Sequence, residues 1–233
     1  MGSEMCIRDS QIDLLALAEE GEVVDSVAAQ AILKVRRVLC IRRPPRPHGR
    51  IRRWVKFFKA AITMPHIPVT MQPYASPHIK CAMATLLTER RVPPSVEDFS
   101  NLDSAPGPWD AVIYEGPHPA MHSALLGEFR RPRGAPKIIY RAQNVEHLIW
   151  KRKTDLTSGT AHKILLAHQL SLVKIFEESL VKEADGVAAV SKADLALFER
   201  MKNGLRGAVV PVGYNFDEPL ALTPQATDLL CLA

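Results

Sequence analysis

Residues 135–152, APKIIYRAQNVEHLIWKR, hold an apolar run, a polar turn and the opening of a helix within eighteen positions. Ile138, Ile139 and Tyr140 form a β-favouring run, and Leu148, Ile149 and Trp150 follow at a spacing that suits a helix. Asn144 is of the type that accepts a backbone N–H at a helix start. Arg141, Gln143, Asn144, Glu146 and His147 therefore fall where a strand ends. In open α/β sheets ligands bind in the crevice outside the carboxyl ends of the strands, which makes this cluster a candidate site. The same residues also suit a capped turn whose charges are simply solvated.

Outward from this stretch the strand–turn–helix pattern repeats. Downstream, 160–183 is predicted as a long helix. Ile164, Leu165, Ala167, His168, Leu172, Ile175, Phe176, Ser179 and Leu180 form its expected buried stripe, and Glu177, Glu178, Lys182 and Glu183 its wet side. Asp185-Gly186 ends it. A short strand is expected at 187–190, Ser191 as the N-cap of a helix over 192–201, and a buried strand over 208–212. Upstream, WDAVIY at 109–114 reads as a strand with Glu115 at its carboxyl end. Gly116-Pro117-His118-Pro119 then turns into a helix ending near Phe129.

Further upstream, the Pro-, Ser- and Asp-rich stretch that ends at Pro108 reads as a loop. Ser76 is placed to cap a helix over 78–90, and residues 65–77 form a proline-broken connection. Residues 37–41 read as a strand and 24–33 as a short helix. For 12–18, IDLLALA, strand and short helix both fit. Strands alternating with helices predict an α/β fold, Rossmann-like and doubly wound around a mostly parallel sheet.

The chain has 233 residues, enough for one large domain or two small ones, with 47% hydrophobic content and a formal charge of +5. No apolar run reaches the length of a membrane span. Cys6, Cys40, Cys81 and Cys231 lack CxxC spacing, which favours free thiols over a disulfide frame or a zinc site, and no metal site is expected. Residues 1–11, MGSEMCIRDSQ, lack the order of a secretory signal and resemble an adapter-derived peptide, so a non-native leader is expected there.

Between 34 and 59 there are eleven Lys and Arg residues and no acidic one. Within that run, 49–63 places Ile51, Trp54, Val55, Phe58, Ala61 and Ile62 at helical spacing. Arg50, Arg53, Lys56 and Lys59 fall elsewhere on the wheel. This basic amphipathic helix either packs on the core or rests on an anionic membrane surface through Arg50, Arg53, Trp54, Lys56 and Lys59.

The order of elements, with WDAVIYEG, IIYRAQNVEHLIW, EESLVKEADGVAAVSKADLALF and VVPVGYNFD, resembles the amino-terminal half of GT-B glycosyltransferases of the large retaining family 4 group. The likeness runs over 12–217, with 218–233 matching the start of an interdomain linker. It rests on Glu115 and His118, on 144–147, on Ala184-Asp185 with Val190-Ser191 and Asp194, and on 210–217. It implies transfer of a sugar from a nucleotide-sugar donor to a glycan or lipid-linked acceptor bound mainly by this half, with no resident cofactor. The chain would work in the cytoplasm, peripheral to the inner membrane face.

Such chemistry needs an oriented acceptor hydroxyl and stabilised charge at the anomeric carbon and the departing diphosphate. The resemblance assigns catalysis to Glu115 and His118, and substrate binding to Arg141, Asn144, Glu146, His147 and Ser191. His147 also fits a core position. The family's first strand and Gly-Gly loop are absent before Ile12, and its acidic donor motif is absent before Ala233. The polypeptide is therefore expected to be a fragment with little or no turnover of its own.

A basic nucleic-acid-binding module is the reading from another class. Trp54, Phe57 and Phe58 fall on or near the apolar stripe rather than on a stacking surface, so no nucleic acid is expected. No GxGxxG follows a strand and no GxSxG occurs, which removes the usual dehydrogenase and serine-hydrolase signatures.

Overall fold

Alternation of short β-branched runs with helices folds the chain into an α/β architecture compatible with a Rossmann-like arrangement. The computed structural model describes residues 11–33, 35–43, 66–74, 76–100, 102, 107, 109–121 and 134–211. The basic helix expected over 49–63, most of the helix expected to end near Phe129, residues 1–10 of the expected leader and the expected linker lie outside these residues.

The strands form two sheets rather than the single one expected. In the first, β1 (Asp13–Glu19) runs parallel to β2 (Arg37–Arg43), and β3 (Val96–Asp98) is antiparallel to β2. In the second, β4 (Ala111–Glu115), β5 (Lys137–Ala142), β6 (Gly186–Ala189) and β7 (Gly207–Val209) lie side by side and all parallel. The helices are α1 (Ser26–Leu33), α2 (Pro77–Ala84), α3 (Pro117–Ala120), α4 (Glu146–Asp155), α5 (Thr160–Glu183) and α6 (Lys192–Met201).

One hydrophobic core serves both sheets. Leu39 and Ile41 of β2, Tyr114 of β4, Ile138 and Tyr140 of β5 and Val187 of β6 join Ile79, Leu180 and Phe198 in it, each at most 3% exposed. Two carboxylates tie strand starts to their surroundings. Asp13 takes both Nε and Nη2 of Arg36 at 2.9 and 2.7 Å and the Trp109 indole N–H at 3.1 Å, which fastens β1 to the approach of β4. Asp185 accepts the Ile138 N–H at 2.8 Å, while its own N–H donates to the Ile138 carbonyl at 2.8 Å. The Ala-Asp pair before β6 thus has a structural duty: Ala184 is fully buried and Asp185 registers β6 against β5.

Four expectations need correction. β3 falls inside the predicted loop, because three residues beside a Pro-Pro pair carry too little periodicity to be seen without their partner β2. The last strand is exposed rather than buried, since β7 is the edge of its sheet. Ser76 holds the expected N-cap position of α2 but makes no side-chain cap bond; Pro77 follows in the first turn, where its missing N–H costs nothing. The buried row of α5 is Leu166, Gln169, Val173, Glu177, Leu180 and Val181, leaving Ile164 and Ile175 at 68% and 64% exposure. Glu177, expected on the wet side, is fully buried.

α4 and α5 form a helical hairpin with its own small core of Trp150, Leu166 and Val173. The Gln169 side-chain oxygen accepts the Val69 N–H there at 2.8 Å. Among the described residues no helix is long and apolar enough to cross a membrane.

Candidate functional site

Parallel pairing sends the carboxyl ends of β4, β5 and β6 to one edge, and the residues singled out in the sequence gather along it. The β4–β5 register sets Glu115 opposite Arg141. Glu115 Oε1 accepts from Arg141 Nη1 at 2.5 Å and from Gln143 Nε2 at 3.1 Å. Both donors reach the same oxygen, so Oε2 stays open among the described residues. All three side chains are at least partly solvent-exposed. As an exposed ion pair the contact adds little to stability, and its value is orientation.

Immediately after Glu115 the chain must turn sharply, and Gly116 supplies φ +78° with ψ 176°, a region open essentially to glycine alone. Its N–H donates to the Arg141 carbonyl at 2.9 Å, which holds the turn to β5. The turn delivers His118 on α3, whose ring centroid lies 5.1 Å from that of Tyr74. Tyr74 in turn lies under the Arg43 guanidinium, 5.3 Å from carbon to ring centroid. His118 thereby links the β4 end to the carboxyl ends of β1 and β2.

Asn144 does not cap α4. The N-cap is Val145, one residue later, with no cap from its own side chain. Glu177 supplies the cap from α5: Oε1 accepts the Glu146 N–H at 2.8 Å and Oε2 the His147 N–H at 3.3 Å. The His147 Nδ1 lies 2.6 Å from the same Oε2, and facing a carboxylate it takes the protonated, donating role. His147 is therefore an anchored, mostly buried ring, the core alternative that its sequence position allowed.

Burial first, then the charge of Glu177, raises the Glu146 carboxyl above its ordinary range. Burial, followed by Glu177 and Glu146, also pushes the Tyr140 phenol up. The Tyr140 hydroxyl is buried without a hydrogen-bond partner among the described residues, its ring edge-on to Phe198 at 5.9 Å.

Ser191 behaves as its position predicts: its Oγ accepts the Asp194 N–H at 3.1 Å and donates to Asp194 Oδ2 at 2.7 Å. That reciprocal cap occupies the hydroxyl assigned to substrate. The structure thus brings Glu115, Arg141 and Gln143 into contact and joins Glu146 and His147 through Glu177. Asn144 stays exposed, and Ser191 is absorbed in its helix.

The reading missed Glu177 and the Glu19–Arg43 pair at 2.7 Å. A polar pair, Gln169 and Glu177, in line with Val173 and Leu180 is the signal that pointed to a buried carboxylate. Among the described arginines of the basic run, Arg36, Arg37, Arg42 and Arg43 are paired with Asp13, Asp98, Glu97 and Glu19. This part of the run is neutralised by β1 and β3 instead of forming a bare cationic face. Arg50, Arg53, Trp54, Lys56 and Lys59 lie outside the described residues. Cys40, buried, and Cys81, exposed, are free thiols, and no cluster of metal ligands occurs among the described residues.

No family model matches the chain, and comparisons with curated proteins and with solved structures return no match either.

Proposed function

We propose that this chain is the acceptor-binding, amino-terminal half of a GT-B glycosyltransferase of the family 4 type. In this reading it helps transfer a sugar from a nucleotide-sugar donor to a glycan or lipid-linked acceptor. The observation that carries the reading is the Glu115–Arg141–Gln143 cluster at the carboxyl edge of the parallel sheet, with one carboxylate oxygen held by two donors and the other open among the described residues.

A carboxylate fixed in this way accepts a hydrogen bond from an acceptor hydroxyl and orients it for attack. His118, on the turn that follows, offers a second polar group at the same strand end. Arg141 supplies the positive charge that a diphosphate leaving group or a lipid phosphate requires. The donor is a co-substrate rather than a resident cofactor, and a second lobe would hold most of it. Residues 12–217 would form this half, acting in the cytoplasm at the inner membrane face. The basic stretch around Arg50, Arg53, Trp54, Lys56 and Lys59 would contact anionic lipid, and no nucleic acid enters.

Saturation-transfer NMR on the chain with soluble oligosaccharides, detergent-dispersed polyprenyl-phosphate-linked sugars and nucleotide sugars tests this reading. At least one glycan or lipid-linked glycan should bind. Glu115→Ala and Arg141→Met should each weaken it about tenfold, the scale of one charge-assisted hydrogen bond. Binding of no glycan from the panel overturns the reading.

A further inference from the structure

α4 turns one face to α5 and leaves the other bare. Trp150 and Thr154 are buried, Trp150 against Leu166 and Val173. Leu148, Arg152 and Leu156 recur every fourth residue and Ile149 lies beside them, on the side of the helix away from Trp150 and Thr154. Their aliphatic members are open to solvent, Leu148 at 37%, Ile149 at 46% and Leu156 at 81% exposure. Aliphatic side chains exposed singly are ordinary, but three on one face of a ten-residue helix form a ridge.

Charge selects what covers the ridge. Lys151, Arg152 and Lys153 are all exposed, and Asp155, the one exposed acid of α4, is taken up by Lys151 at 2.7 Å. Lys153 leans over the Trp150 ring at 5.1 Å, so the two lysines flank the ridge and Arg152 sits within it. Unlike Arg36, Arg37, Arg42 and Arg43, each matched with an acid, Arg152 and Lys153 have no acidic partner among the described residues. An aliphatic ridge between cations complements an anionic lipid surface, where Leu and Ile enter the headgroup boundary while Lys and Arg carry their charge to the phosphates. The face holds no aromatic ring on which a nucleic-acid base could stack. α4 springs from the turn that carries Gln143, just past Arg141, so a surface along it ends at the edge where Glu115 meets Arg141.

We propose that the outer face of α4 is a membrane-contact surface: Leu148, Ile149 and Leu156 enter the headgroup boundary of an anionic bilayer, and Arg152 and Lys153 meet its lipid phosphates. This contact belongs to the folded core, is separate from the basic stretch around Arg50, and stands whether or not the chain transfers sugar.

The test is co-sedimentation of the full chain with vesicles of phosphatidylcholine alone or mixed equally with phosphatidylglycerol. Binding should favour the mixed vesicles and weaken as salt is added. Arg152→Ala and Leu156→Ser should each weaken it about fivefold, the equivalent of about 1 kcal/mol, and both sites are exposed, so an unchanged Tm confirms that the fold is kept. The double variant Arg53→Ala with Lys56→Ala, measured in parallel, separates the two surfaces. Vesicle binding that responds only to that double variant overturns the α4 surface and leaves the glycosyltransferase reading standing. Equal binding to both kinds of vesicle, or none to either, overturns it outright, and tighter binding to polyglutamate than to the mixed vesicles overturns it in favour of an acidic protein partner. No glycan is present, so the result is independent of glycan binding at Glu115 and Arg141.

Discussion

Glu177 offers the sharpest perturbation. Fully buried on α5, it accepts two backbone N–H groups at the start of α4 and the ring N–H of His147. Glu177→Ala leaves all three donors unanswered and opens a cavity. Hydrogen bonds to charged groups contribute about 1.5–3 kcal/mol each and do not simply add. Three buried donors left without an acceptor, together with the cavity, put the expected loss at about 3–5 kcal/mol.

Glu177→Gln keeps one acceptor oxygen but turns an amide N–H₂ toward the remaining donors, and should lose about 2 kcal/mol. Glu178→Ala on the neighbouring face, where the Lys174 contact is 3.9 Å, should stay within about 0.5 kcal/mol of wild type. Urea unfolding followed by tryptophan fluorescence at neutral pH reads all three. For a chain of this length each kcal/mol moves the Tm by about 2–4 °C, so Glu177→Ala should fall by about 10 °C. Amide exchange in α4 should accelerate, because its first turn loses its cap. A Glu177→Ala variant within about 1 kcal/mol of wild type would refute the assignment of this carboxylate as the cap of α4.

The remaining predictions are smaller. Tyr140→Phe deletes a buried hydroxyl that has no partner among the described residues and should be neutral or stabilising by up to about 1 kcal/mol in the same assay; a loss above 1 kcal/mol would show that the hydroxyl is bonded. Gly116→Ala forces a side chain into a glycine-only backbone region and should destabilise by about 1–3 kcal/mol, read as a Tm shift, although a Cβ there meets nothing within 4 Å. The raised Glu146 carboxyl favours the protonated acid in the folded state. Its contribution to stability is complete below the ordinary value of 4.5 and is lost as pH climbs through the raised folded value. Glu146→Gln, which cannot ionise, should therefore gain on wild type as unfolding is measured from acid toward neutral pH; a pH-independent difference would contradict this.

The sequence was most legible where structure is local. α5 occupies the predicted 160–183, and the Ser191 cap follows from a hydroxyl three residues before Asp194. What it concealed depends on distant partners. β3 is a strand only because β2 offers a ladder, and Glu177 is buried only because α4 begins against it from thirty residues upstream. The same holds for Asn144, which has the right chemistry for a cap but stands one residue too early. At the candidate site, pairing of Glu115 with Arg141 was implicit in two parallel strands ending in opposite charges, though nothing local revealed their register. The Arg43–Tyr74–His118 chain joins three separate segments and left no periodic trace.

The measurement closest to the central claim is an amide chemical-shift map of the chain with the tightest glycan or lipid-linked glycan found in the panel. The account predicts perturbations clustered at 115–118 and 141–147, along the carboxyl edge of β4 and β5. Shifts confined to the opposite edge of that sheet, or to the exposed face of α5, would contradict it.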